Sequence, residues 1–105
     1  MTTFDKREDA FEKQFVHDEE VKFKAEARRN RLLGLWVAEK LGKSGSEAEA
    51  YAREVVAAEF EEAGDVVRKV IGDLSAKGIA VAELEIRSKM NELMPLAISQ
   101  VKAGV

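Results

Sequence analysis

The residues best equipped for chemistry in this chain are Gly42-Lys43-Ser44, His17 with its acidic neighbours, and the basic run Arg28-Arg29-Asn30-Arg31. Gly42-Lys43-Ser44 ends like a phosphate-binding loop. That motif needs a Gly five residues before its second Gly, where Val37 stands, and a preceding strand, where Leu32 to Leu41 reads as helix. The segment is therefore expected to be an inter-helix turn. His17 is followed by Asp18, Glu19 and Glu20, but neighbours in a helix do not face one another, so these residues cannot converge on a metal. His17 reads as a solvent-exposed residue. A Ser, Cys or Thr placed beside a base in a formed pocket, as nucleophilic catalysis requires, is not discernible. No enzyme activity and no cofactor are expected. Arg28, Arg29 and Arg31 are candidates for contact with a phosphate, a nucleotide or an acidic protein surface. Equally, they could form a solvated helix face that pairs with acids such as Glu26.

A different kind of candidate lies at the N-terminus. Phe4, Phe11 and Phe15 stand among Asp5, Lys6, Arg7, Glu8, Asp9, Glu12 and Lys13, spaced by seven and four residues. A helix would place the three aromatics on one narrow stripe. Such a stripe is too thin to hold a helix firmly against its own domain. Residues 1–17 are thus expected to form an arm, disordered or frayed when free, that folds on a partner. Aromatic residues left in water without a use are costly, and a charged helix with one aromatic edge suits a protein groove.

The elements that would carry this arm are helical. Charged residues make up 35% of the chain and only one Pro and seven Gly interrupt it, a pattern that favours helices over strands. Asp18 is placed to cap a helix reaching about Leu41 and ending at Gly42. Its charged first half is expected to project from the bundle, and Leu32, Leu33, Leu35, Trp36 and Val37 concentrate its apolar content. Ser46 and Glu49 have the spacing of a capping box. Tyr51, Ala52, Val55, Val56 and Phe60 then form a helical stripe, broken at Gly64. Asp65 is placed to cap a third helix with Val66, Val67, Val70, Ile71 and Leu74 on one face, stopped at Gly78. A fourth runs from near Val81 to about Lys102, with Ile86, Met90, Leu93, Ala97 and Val101 along it and Pro95 expected to kink or interrupt it. Trp36 and Tyr51 read as core anchors. The fold class is all-α: a four-helix, up-and-down bundle over residues 18–105, preceded by a flexible N-terminal arm.

Composition narrows the partners. A formal net charge of −3 argues against a nucleic-acid binder, whose affinity comes largely from positive charge. The absence of Cys excludes a disulfide framework and Cys-ligated metal. No run approaches a membrane span and the N-terminus lacks the order of a signal peptide, so the cytoplasm is the expected compartment, and the free chain is expected to be a monomer.

The run Phe23-Lys24-Ala25-Glu26-Ala27-Arg28-Arg29-Asn30-Arg31-Leu32-Leu33-Gly34-Leu35-Trp36 closely resembles the zeta inhibitor subunit of the F-type ATP synthase of alphaproteobacteria. The likeness continues through Tyr51-Ala52-Arg53-Glu54-Val55-Val56, Phe60-Glu61-Glu62-Ala63-Gly64-Asp65 and Arg68-Lys69-Val70. The arm, with Phe4, Lys6, Arg7, Glu8, Ala10, Glu12 and Phe15, also resembles the inhibitory segment of the mitochondrial inhibitor protein of the same enzyme. The resemblance implies an inhibitor of ATP hydrolysis, bound to the catalytic head subunits and central shaft and held peripherally at the inner membrane through them. It further implies that the arm enters a catalytic interface as a helix and wedges it against rotation. Phe4, Phe11 and Phe15 would be its buried anchors, while the bundle stays outside. The alternative from another class is a phosphate- or nucleotide-responsive module centred on Arg28, Arg29 and Arg31.

Overall fold

The structure is a computed structural model. It describes the backbone of residues 3–60 and 66–104, and the side chains of 19–60 and 66–104. Four helices account for most of these residues: α1 (Thr3–Lys40), α2 (Gly45–Ala58), α3 (Val66–Ala76) and α4 (Glu83–Lys102). Among the described residues there is no strand, and the all-α, four-helix architecture is as expected.

The first helix departs from expectation at its start. α1 is one helix of 38 residues, and Asp18 lies inside it rather than capping it. Nothing in the run forces a break, because neither Pro nor Gly occurs in it before Gly34. Its charged half also packs further than expected. Val21 and Ala25 are buried and Asn30 is fully buried, so the bundle takes hold of α1 well before the apolar run that starts at Leu32.

α1 is the spine. Both α2 and α4 pack along it, while the short α3 touches α1, α2 and α4. The pairing of Arg28 with Gln100 and of Trp36 with Lys89 shows that α4 runs antiparallel to α1. α2 returns along the other flank, so that Asn30 meets Glu59 and Gly34 meets Ala52 and Val55. The α1–α2 contact is tight at Gly34. A methyl group there would lie 2.7 Å from the Ala52 Cα, closer than carbon atoms tolerate. Leu33, Val37, Val55, Val70, Leu74 and Ile86 fill the core, each fully buried. Every such side chain contributes roughly 1.5–3 kcal/mol of transfer free energy.

Two glycines end helices as the sequence predicts. Gly42 adopts φ 79°, and the Lys43 N–H donates to Ala38 O at 2.8 Å while Gly42 N–H donates to Glu39 O. Gly78 repeats the pattern, with φ 81° and Ile79 N–H donating to Leu74 O at 2.9 Å. Both are Schellman turns, in which a residue without a Cβ takes the left-handed conformation and satisfies the last carbonyls.

The Ser46–Glu49 capping box does not form. α2 starts two residues earlier, Ser44 holds the cap position without a side-chain bond, and Ser46 is inside the helix. The Glu49 carboxylate instead accepts from Arg31 Nη2 at 2.9 and 3.0 Å, a charge-assisted bond stronger than one to a neutral amide. Tyr51, Ala52 and Val55 are buried as the stripe requires, but α2 ends at Ala58 and leaves Phe60 beyond it, 67% exposed. The expected break at Gly64 and cap at Asp65 lie outside the described residues. α4 begins at Glu83 rather than Val81, after an extended Ala82, and continues unbroken through Pro95. Pro95 and Asn91, whose carbonyl loses its helical donor, are both exposed, so water can serve that carbonyl.

Candidate functional site

Phe4, Lys6, Arg7, Glu8, Ala10, Phe11, Glu12 and Phe15 all fall on the N-terminal stretch of α1. Their side chains, with that of His17, lie outside the described residues. What the backbone adds is continuity: these positions belong to the same helix as Leu33 and Val37 in the core.

The basic cluster is fully placed. Arg28 Nη1 donates to Gln100 Oε1 at 3.3 Å, joining α1 to α4. Arg29 donates through Nε and Nη2 to Asn30 Oδ1 at 3.3 and 3.1 Å, and Asn30 Nδ2 in turn donates to Glu59 Oε2 at 3.0 Å. Arg31 bridges to Glu49 of α2. One turn of α1 thus ties the spine to both flanking helices. Asn30 carries this arrangement, since a buried amide without partners would lose more than it gains. The sequence marks the arginines but not Asn30, which stands among half-buried arginines in a charged run and carries no signal of its own burial.

A second polar group sits at the other end of the bundle. The Tyr51 hydroxyl donates to Asp73 Oδ2 at 2.7 Å, and Lys69 Nζ lies 3.2 Å from the same oxygen and 5.5 Å from the Tyr51 ring. Burial foremost, then the hydrogen bond and charge of Asp73 and the charge of Glu54, push the Tyr51 phenol well above its ordinary range. Tyr51 is therefore a fixed donor. With Lys43, Lys77 and Leu41 these residues border an open depression of about 310 Å³. Lys43 belongs here to the turn after α1, with a helix where a phosphate loop needs a strand. Trp36 is only half-buried, and its ring carries the ammonium groups of Lys40 at 4.6 Å and Lys89 at 5.3 Å from its centroid.

Among the described residues, no group of three or more His, Cys, Asp and Glu side chains is gathered to hold a metal ion. Among them, too, no helix is long and apolar enough to cross a membrane. Fold and polar groups together define an all-helical protein of four helices built on one long spine, whose polar side chains fasten helix to helix.

The chain belongs to the ATPase inhibitor subunit zeta family, whose model matches residues 1–100. Its role is accordingly that of an ATPase inhibitor. It is also similar to a protein of 59% sequence identity solved in solution by NMR, with a TM-score of 0.68. That likeness covers 80% of this chain and 98% of the other. A search of curated proteins finds no match.

Proposed function

We propose that the chain inhibits ATP hydrolysis by the F-type ATP synthase by inserting residues 1–17 as a helix into an interface between the catalytic head subunits, against the central shaft. The bundle remains outside and the wedge blocks rotation. The protein is then peripheral to the inner membrane through the synthase, monomeric when free, and free of any catalytic step of its own. Membership of an ATPase inhibitor family supports the reading. The observation that carries the arm's part in it is the extent of α1. The helix begins at Thr3 and runs unbroken into Val21 and Ala25, which the bundle buries, so the arm is the leading stretch of the spine itself. A helical arm of that length reaches about 25 Å, enough to enter a groove while the bundle stays at its mouth.

Phe4, Phe11 and Phe15 would be the buried anchors, with Lys6, Arg7, Glu8, Ala10 and Glu12 setting register and specificity. A phosphate- or nucleotide-binding role for Arg28, Arg29 and Arg31 would first have to release the bonds to Gln100, Asn30 and Glu49 that these side chains make. The test is ATPase activity of the cognate synthase titrated with the full chain and with a chain lacking residues 1–16. The truncated chain should retain its helical circular dichroism and cooperative melting but no longer inhibit. Equal inhibition by the folded truncation would refute the arm's role.

A further inference from the structure

Phe23 and Phe60 are 62% and 67% exposed, the most exposed aromatic side chains among the described residues. They belong to one place in the fold. Phe23, Asn30 and Gly34 are spaced by seven and four residues along α1 and so share a face. α2 covers that face at Gly34, through Ala52 and Val55, and its C-cap residue Glu59 meets the face at Asn30. It then ends, and Phe60 follows Glu59 directly. Phe23 continues that face about 10 Å along the axis of α1 beyond Asn30, toward the end of the α1–α2 seam at which Phe60 follows Glu59. Exposed Glu19, Glu20, Lys22 and Lys24 surround Phe23, giving the apolar centre and charged rim of a protein-binding surface.

We propose that Phe23 and Phe60 form an aromatic ledge that docks on the surface of the synthase head bordering the groove that receives the arm. The proposal rests on the arm reading above. Continuity selects the occupant. Phe23 lies eight residues after Phe15 on one unbroken helix, about 12 Å along its axis. A protein gripping Phe11 and Phe15 thus has its rim within reach of the ledge. An anionic membrane is a poor alternative, because the chain carries a net charge of −3 and Glu19 and Glu20 flank the ledge. The arm thereby confers the block, and the ledge adds affinity and fixes how far the arm enters.

The experiment uses the full chain carrying Phe23→Ala and Phe60→Ala together, with Phe23→Gln and Phe60→Gln as a second pair should the first aggregate. Inhibition of the cognate synthase is titrated beside a Phe11→Ala chain, with thermal melting as the fold control. Both side chains are exposed, so melting should be nearly unchanged. The ledge variant should need at least about tenfold more protein for half-inhibition, since aromatic anchors dominate interface energies, yet reach the same maximal inhibition. If it titrates like the natural chain while Phe11→Ala loses inhibition, the ledge is overturned and the arm reading stands. If neither variant changes inhibition, both fall. Two further results would overturn the ledge as a synthase contact if inhibition is unaltered. One is self-association in sedimentation equilibrium that the ledge substitutions abolish, which would make the occupant a second copy. The other is co-sedimentation with vesicles of anionic lipid, abolished in the same way.

Discussion

Gly34 and Gly72 allow one substitution to be tested with opposite signs in the same molecule. Replacing Gly by Ala inside a helix gains about 1 kcal/mol, because the backbone loses less freedom on folding. At Gly72, within α3, a Cβ meets nothing within 4 Å and that gain should appear in full. At Gly34 the new methyl would stand 2.7 Å from the Ala52 Cα and 3.2 Å from the Val55 Cβ. The first of these atoms is backbone and cannot turn aside, so α2 itself must move by several tenths of an ångström. Overpacking of this kind costs about 1–3 kcal/mol. The displaced helix also carries Glu49 and leads directly into Glu59, so Arg31 and Asn30 lose geometry together. Gly34→Ala should therefore be destabilising by about 1 kcal/mol or more despite its propensity gain, lowering the melting temperature by roughly 4–8 °C. Gly72→Ala should raise it by a similar or smaller amount. Thermal melting and urea midpoints followed by circular dichroism on the two variants decide the matter. A Gly34→Ala protein as stable as Gly72→Ala would mean that α1 and α2 are not in backbone contact, and the packing described above would be wrong.

Within the arm, Phe11→Ala and Phe15→Ala should each weaken inhibition by about 2 kcal/mol or more, while Asp9→Ala should change it little, as read from ATPase titrations. Asn30→Ala strips Glu59 and Arg29 of a shared partner and should cost about 1–3 kcal/mol of stability, measured by the shift in urea midpoint. Tyr51 keeps its proton in the folded protein at pH values where the unfolded chain, titrating near its ordinary value of 10.0, has lost it. Its contribution is thus fully present below about pH 10 and declines above it by up to about 1.4 kcal/mol per pH unit. Tyr51→Phe should flatten that decline in stability measured from pH 9 upward, and an unchanged slope would refute the burial of the phenol.

Periodicity made the core legible. Tyr51, Ala52 and Val55, then Val66, Val67, Val70 and Leu74, recur at helical spacing and are all buried, because packing rewards one face whatever else the helix carries. The glycine turns were equally readable, since Gly42 and Gly78 take the left-handed conformation cheaply where an apolar stripe stops. Helix starts were not. Ser46 with Glu49 satisfies the spacing of a cap, but Arg31 lies far off in the chain and competes for the same carboxylate. Asp18 likewise has a capping side chain without the backbone break that capping requires. A tertiary partner, which local sequence does not encode, decided the first case, and the lack of a helix breaker before Gly34 decided the second. The Tyr51–Asp73–Lys69 group and the Asn30 bridge escaped notice for the same reason, their members being 22 and 29 residues apart. Phe60 read as the last member of the α2 stripe, from which the end of α2 at Ala58 separates it, while Phe23 stood in the charged half of α1 where no apolar pattern marked it.

Because α1 is held along both flanks and not at a tip, a pull or push on its N-terminal end acts along the axis of the spine. The load is then shared in parallel by the side chains interlocked with α2 and α4, as in a dowel gripped over its length. Such shear must strip Leu33, Val37, the Arg31–Glu49 pair and the Arg28–Gln100 bond together, whereas a peeling force would take them one at a time. The bundle is accordingly built to be stiff against tension and thrust delivered through the arm, and weakest against a sideways bend where α1 leaves its two neighbours.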